Sequence, residues 1–232
     1  MKTIGIIGGI GPESTIEYYR LLVTIYREQT GDGSYPPVII NSIDLQRMLG
    51  LIRSNRLADV AEYLFGEVSR LARAGADLGL LAANTPHIVF DELQRQSPIP
   101  LVSIVEATCA ASKSLGLTVV GLFGTRFTMQ GNFYPEVFAR SGIRIVVPGS
   151  DDQDYLHERY LGELVQGIFL PETRKGLLAI VDQMRAADGI QALILGGTEL
   201  PLILREASYH GLPLLDTARI HVERAVAQMI SD

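Results

Sequence analysis

One local pattern recurs along the chain: a short apolar run that ends on glycine and is followed by an amphipathic stretch. It appears first at residues 3–7, where the run is stopped by Gly8, Gly9, Gly11 and Pro12 before a helical pattern over 14–28. A strand covered on both faces reads as an unbroken apolar run, whereas a half-exposed strand alternates. Further runs lie at 38–43, 78–82 and 101–104, with helical patterns over 55–74, 91–96 and 106–114. This βαβα order predicts parallel strands with helices on both faces.

The second half repeats the order. Apolar runs at 119–123, 143–147, 192–195 and 214–215 are separated by helical patterns at 133–140 and at 155–184, the latter broken near Pro171, and a final helix spans 217–229. GIIGG at 5–9 answers GLFGT at 121–125, LLAANT at 80–85 answers LILGGT at 193–198, and IPLVSI at 99–104 answers LPLLDT at 212–217, at offsets of 116, 113 and 113. The expected fold is α/β: two similar Rossmann-like lobes with parallel sheets, pseudo-twofold related, with a cleft between them. The lobes are expected at 1–116 and 117–232, the last helix crossing back onto the first. The alternative is that any βαβ chain shows glycine-ended apolar strands at similar intervals, without a duplication.

Composition narrows the function classes. With 232 residues, 47% hydrophobic and 20% charged, the chain has the apolar surface of a globular protein. Its formal charge of -6, without a Lys/Arg block, argues against a nucleic-acid partner. The apolar run at the N-terminus meets glycine and charge too early for a signal peptide or membrane span, so a cytoplasmic protein without membrane attachment is expected. There is one cysteine, Cys109, which rules out an intramolecular disulfide, a CxxC centre and a cysteine-rich zinc site. No HExxH or Cys/His cluster suggests a metal, and no GxSxG elbow suggests a serine nucleophile.

The loops after the apolar runs carry the polar residues. GGIGPES offers permissive glycines and a helix N-terminus that could receive a carboxylate or phosphate, or simply form a tight turn. Its glycines are out of register for a dinucleotide fingerprint. AANTPH at 82–87 presents Asn84, Thr85 and His87 as hydrogen-bonding groups, although Asn84 and Thr85 could instead cap the next helix. GGTE at 196–199 offers Thr198 and Glu199, and GTRFTMQ at 124–130 adds Thr125 and Thr128. Arg47 could hold a substrate carboxylate through its bidentate fork, or lie on the surface.

Taken as an ordered set, KTIGIIGGIGPESTIEYY, ANTPH, SIVEA, GTRFTM, GGTELPLI and DTARIH resemble the aspartate/glutamate racemase family over nearly the whole chain. That resemblance implies cofactor-independent inversion of an acidic amino acid, without pyridoxal phosphate or metal, and a homodimer as the common assembly. It also implies two cysteines that flank the substrate and move the α-proton. One of those cysteines precedes the Asn-Thr pair, where this chain has Ala83, and the other precedes Thr-Glu, where it has Gly197. By the same resemblance Gly8, Gly9, Asn84, Thr85, Thr125, Thr128, Thr198 and Glu199 are placed for a small amino acid or dicarboxylate ligand, and Arg47 for its side-chain carboxylate.

Neither a methyl group nor a hydrogen exchanges a proton. The resemblance therefore implies racemase-type turnover that is weak or absent, with Glu199 and His87 as substitute acid/base candidates. Two alternatives stand beside it: a non-catalytic binding or regulatory protein for the same ligands, and a divergent lyase or isomerase such as a decarboxylase or a maleate-isomerase-like enzyme.

Overall fold

A computed structural model of the protein describes residues 1–231, which divide into two compact units. The first unit comprises residues 1–104 and returns at 218, while the second is the continuous segment 105–217.

In the first unit, β1 (Ile4–Gly8), α1 (Pro12–Thr30), β2 (Val38–Ser42), α2 (Leu45–Arg53), α3 (Leu57–Arg73), β3 (Leu78–Leu81), α4 (Phe90–Gln96) and β4 (Leu101–Val102) follow one another, with a 3-10 turn over Thr85–Val89. The four strands are all parallel, in the order β2-β1-β3-β4. Every residue of β1 and β3 is buried, which is why both read as unbroken apolar runs. The last helix of the chain, Thr217–Ile230, packs here. Its Ala218, Val222, Ala225, Val226 and Met229 form one helical face against Tyr18, Leu22 and Ile25 of α1 and the apolar residues of β1 and β3. Each such fully buried aliphatic side chain contributes roughly 1.5–3 kcal/mol relative to exposure.

The second unit contains α5 (Ile104–Ser114), β5 (Val119–Gly124), α6 (Arg126–Gln130), α7 (Phe133–Ala139), β6 (Arg144–Val146), α8 (Ser150–Gly162), α9 (Pro171–Asp188), β7 (Leu193–Gly196), α10 (Leu200–Ile203), β8 (Ser208–Tyr209) and β9 (Leu212–Asp216); the last helix is α11. Its sheet runs β6-β5-β7-β9-β8, parallel except for the two-residue edge strand β8. Phe123, Leu156, Tyr160, Leu177, Val181, Leu193 and Leu195 belong to its core.

The first four strands of this sheet repeat the order of the first unit, and the register gives the duplication a residue-level form. Gly5 pairs with Gly79, and Gly121 pairs with Leu193. If Gly5 and Gly121 correspond, as the GIIGG and GLFGT segments do, then Gly79 corresponds to Leu193 and Ala83 to Gly197, an offset of 114 (193 minus 79), one more than the 113 of the LLAANT and LILGGT match, which sets Ala83 against Gly196.

The division falls at 104/105 and 217/218, where the duplicated sequence pattern puts it at 116/117. The difference has a local cause: α5 follows β4 in sequence but contributes to the second unit, and α11 follows β9 but fills the first unit's core. Sequence patterning also passes over α2. Asp44 caps it by accepting the Gln46 N–H at 2.8 Å, and it is parted from α3 by Asn55, whose φ of 53° lies in the left-handed region.

Candidate functional site

The loop after β1 is shaped by close approach of backbone to backbone. A Cβ on Gly9 would lie 2.3 Å from the Ile43 carbonyl oxygen, and its φ of 74° disfavours any other residue. The Gly9 N–H donates to Thr15 Oγ1 at 2.8 Å, and a Cβ on Gly8 would meet Thr15 Cγ2 at 2.5 Å. Both glycines therefore let α1 and the segment after β2 close over the end of β1.

After β3, Ala83, Asn84, Thr85 and His87 are all buried. His87 holds this loop in place. Its Nδ1 donates to the Ala83 carbonyl at 3.0 Å, and its Nε2 accepts the Ile104 N–H at 3.2 Å, so the partners dictate which nitrogen carries the proton. Burial, and then the neighbouring His221, push its pKa down to about 3. A second buried histidine stands behind it. His221 Nε2 donates to the Val102 carbonyl and its Nδ1 accepts from the Tyr18 hydroxyl, both at 2.8 Å, and burial brings its pKa down to about 4. The two imidazoles meet edge to face at 6.1 Å, while Phe90 stacks on His87 at 4.9 Å.

Arg47 lies elsewhere in the first unit. It is exposed on α2, with its guanidinium 4.2 Å over the Tyr63 ring, in an open groove of about 540 Å³ whose lining comes from α2, α3 and Arg56 between them and includes neither Gly8-Gly9 nor residues 83–87. Arg56 and Arg70 in the same groove are paired with Asp59 and Glu67.

In the second unit, Thr125 and Thr128 form one capping arrangement. Thr125 Oγ1 accepts the Thr128 N–H at 3.2 Å at the start of α6, and the two hydroxyls are also 3.2 Å apart. The repeated threonine thus has a local structural use.

The loop after β7 holds Gly197, Thr198 and Glu199, the last two buried. A Cβ on Gly197 would lie 2.3 Å from Cε2, 2.7 Å from Cζ and 2.8 Å from the hydroxyl of Tyr160 on α8. The phenol therefore fills the space that any side chain at 197 would enter. Tyr160 donates to Glu199 Oε2, which also receives the Thr198 hydroxyl at 3.1 Å. Burial, followed by the Glu199 charge, pushes the Tyr160 phenol well above its ordinary range.

No buried side-chain nitrogen or oxygen among the described residues lacks a hydrogen-bond partner, so these polar loops are internally satisfied. Groups of three or more metal-ligating side chains are not found among the described residues. Cys109 is buried on α5 with its sulfur facing the Val137 carbonyl at 3.9 Å. Among the described residues, no helix is long and apolar enough to cross a membrane.

Sequence reasoning missed Tyr160 and Tyr18. Neither sits in a glycine-ended loop. The only available clue to Tyr160 was that a glycine at 197 leaves room for a bulky neighbour.

Residues 7–225 match the Asp/Glu/hydantoin racemase family. The chain belongs to this family. An aspartate racemase homologue from Pyrococcus horikoshii superposes with a TM-score of 0.82 at 35% identity, covering 100% of both chains. The aspartate racemase of Picrophilus torridus shares the fold, with a TM-score of 0.77 at 21% identity over 98% of this chain and 95% of that one. The broad specificity amino-acid racemase RacX of Bacillus subtilis is 27% identical over 149 residues, 62% of this chain and 63% of its own length. Within this family the single cysteine is informative: one buried thiol on α5 cannot supply a pair of them.

Proposed function

We propose that this protein binds an acidic amino acid or a related small dicarboxylate through polar loops that follow its buried strands, and moves the α-proton of that ligand slowly and without a cofactor. The observation that carries the reading is the correspondence of Ala83 with Gly197. Each is followed by buried polar residues, Asn84-Thr85 in one unit and Thr198-Glu199 in the other. These are the positions at which the family resemblance expects thiols, and the surrounding loops keep their polar character without them.

Gly8, Gly9, Asn84, Thr85, Thr125, Thr128 and Thr198 bind or shape the loops. Glu199 takes part in proton transfer. His87 is a positioning residue, because both of its nitrogens are committed to backbone and its burial keeps it neutral. Arg47, in a groove on α2 and α3 that includes none of these loops, is left out of this set. Positioned acid/base groups typically supply about 10²–10⁴ in rate, so a site without its thiols retains binding while losing most of that factor.

The test is α-proton exchange in deuterated water, followed by proton NMR for both enantiomers of Asp and Glu, with calorimetry on the same ligands. Exchange above the buffer rate supports the reading. Binding with exchange at the buffer rate makes the protein a binding protein, and absence of both removes the reading altogether.

A further inference from the structure

Position 197 and Tyr160 compete for one volume. A side chain at 197 would begin within 2.8 Å of the Tyr160 hydroxyl and closer still to its ring carbons, so a thiol there and the phenol in its present place exclude one another. The family resemblance expects a proton-bearing group at 197, and the space there is filled by a phenol from α8. We propose that Tyr160 is the proton-transfer group of the second unit and that Glu199 is its proton partner. This deepens the function proposed above and rests on it.

The geometry gives the pair its polarity. Tyr160 is 6% exposed and Glu199 1% exposed, and the phenol donates to Glu199 Oε2. Thr198 donates to the same oxygen at 3.1 Å, which holds the carboxylate in place. At neutral pH the phenol is protonated, since burial and the adjacent carboxylate both oppose a phenolate. The phenol is therefore the donor of the pair, and the relay runs with Glu199 as the carboxylate.

Proton abstraction then proceeds as a relay. The phenolic O–H bond breaks as its proton passes to Glu199, while the phenolic oxygen takes the α-proton of the ligand. The Cα–H bond breaks, a new phenolic O–H bond forms, and the electron pair stays on the ligand as its enolate. Glu199 ends protonated, Tyr160 ends neutral, and charge is conserved. In reverse, Tyr160 protonates the enolate and recovers its proton from Glu199.

A relay on one face has a stereochemical signature. The corresponding position in the first unit is Ala83, whose methyl group carries no exchangeable proton, and its neighbour His87 is committed to backbone. Return of a solvent-derived proton through Tyr160 then restores the original configuration. One enantiomer exchanges its α-hydrogen faster than it inverts.

The experiment compares the wild-type chain with Tyr160→Phe, Glu199→Gln and Tyr160→3-fluorotyrosine. Exchange at Cα of D- and L-Asp and D- and L-Glu is followed in deuterated water, enantiomer ratios are read by chiral separation, and binding is measured by calorimetry. The expected result is wild-type exchange with retention for one enantiomer, lowered about a hundredfold or more by Tyr160→Phe and by Glu199→Gln while ligand Kd stays within about threefold. Fluorination keeps the ring shape but makes the phenol more acidic, so it shifts the pH profile of exchange to lower pH, which a purely structural tyrosine would not do. Wild-type rates in a folded Tyr160→Phe variant, or an unmoved pH profile on fluorination, overturn the role of Tyr160 and leave the function standing. Inversion as fast as exchange overturns the single-face relay. Wild-type exchange at the buffer rate overturns both proposals together.

Discussion

The Tyr18 hydroxyl donates to Nδ1 of His221 at 2.8 Å, bridging residues 203 positions apart and tying α1 to α11 inside the first unit. Since His221 Nε2 is already used by the Val102 carbonyl, both ends of the imidazole are satisfied only while all three elements are in place. Removing the hydroxyl leaves a buried acceptor unpaired, at about 1–3 kcal/mol. Tyr18→Phe should therefore lower the unfolding free energy by that amount, seen as a lower urea midpoint at an unchanged m-value, and an unchanged midpoint would show that the bond contributes nothing net.

Acid should destabilise the protein through the same cluster. His87 and His221 are held neutral in the folded state, with pKa values brought down to about 3 and about 4 by burial, while in the unfolded chain they titrate near 6.5. Below about pH 6.5 the unfolded state binds more protons, so the stabilisation that is complete above this value is lost as pH falls toward 4 and then 3. The loss approaches about 1.4 kcal/mol per pH unit for each histidine. Denaturant titrations from pH 7.5 to 5 should reveal it, and His221→Gln should roughly halve the slope. A flat profile over this range would contradict the neutral, buried assignment.

The Gly197 contact predicts an unusual cost for a methyl group. Gly197→Ala must displace the Tyr160 ring, since its Cβ would come within 2.3 Å of Cε2, and overpacking of this kind costs about 1–3 kcal/mol. In a Tyr160→Ala background the same change should cost almost nothing. A double-mutant cycle measured by thermal or urea unfolding reads this coupling directly, and additive costs would mean that the ring yields freely.

Restoring thiols should follow the same steric logic. Ala83→Cys with Gly197→Cys places the second thiol against Tyr160, so the pair should fold less stably and gain little racemisation. Adding Tyr160→Ala opens that volume, and the triple variant should racemise Asp or Glu at least about tenfold faster than the double variant. Equal rates in the two variants would show that the loops are not arranged for two-thiol chemistry.

What could be read from the sequence follows from burial. β1, β3, β5 and β7 lie in the middle of their sheets with nearly every residue buried, so each appears as an apolar run stopped by glycine or by a small residue. The edge strand β8 has two residues and no such signature. α2 hides between β2 and α3 because it has only nine residues and just residues 54–56 part it from α3. The site divides in the same way. The loops carrying Asn84, Thr85, Thr198 and Glu199 are visible because they terminate legible strands. Tyr160 is not, because its contact with Gly197 joins α8 to the β7 loop, and no local pattern records which residue fills the space a glycine leaves open. His87 was visible as a titratable side chain, but its commitment to the Ala83 and Ile104 backbone was not.

The division of the chain has a consequence for the order in which the protein comes into being. The second unit is one continuous segment, whereas the first needs α11, which is made after residues 105–217. During synthesis the part of the first unit's core that α11 covers stays open, while the later half can already close. The segment that completes the first unit's core also brings His221 to Tyr18, so the acid-sensitive cluster is the last part of that core to be assembled.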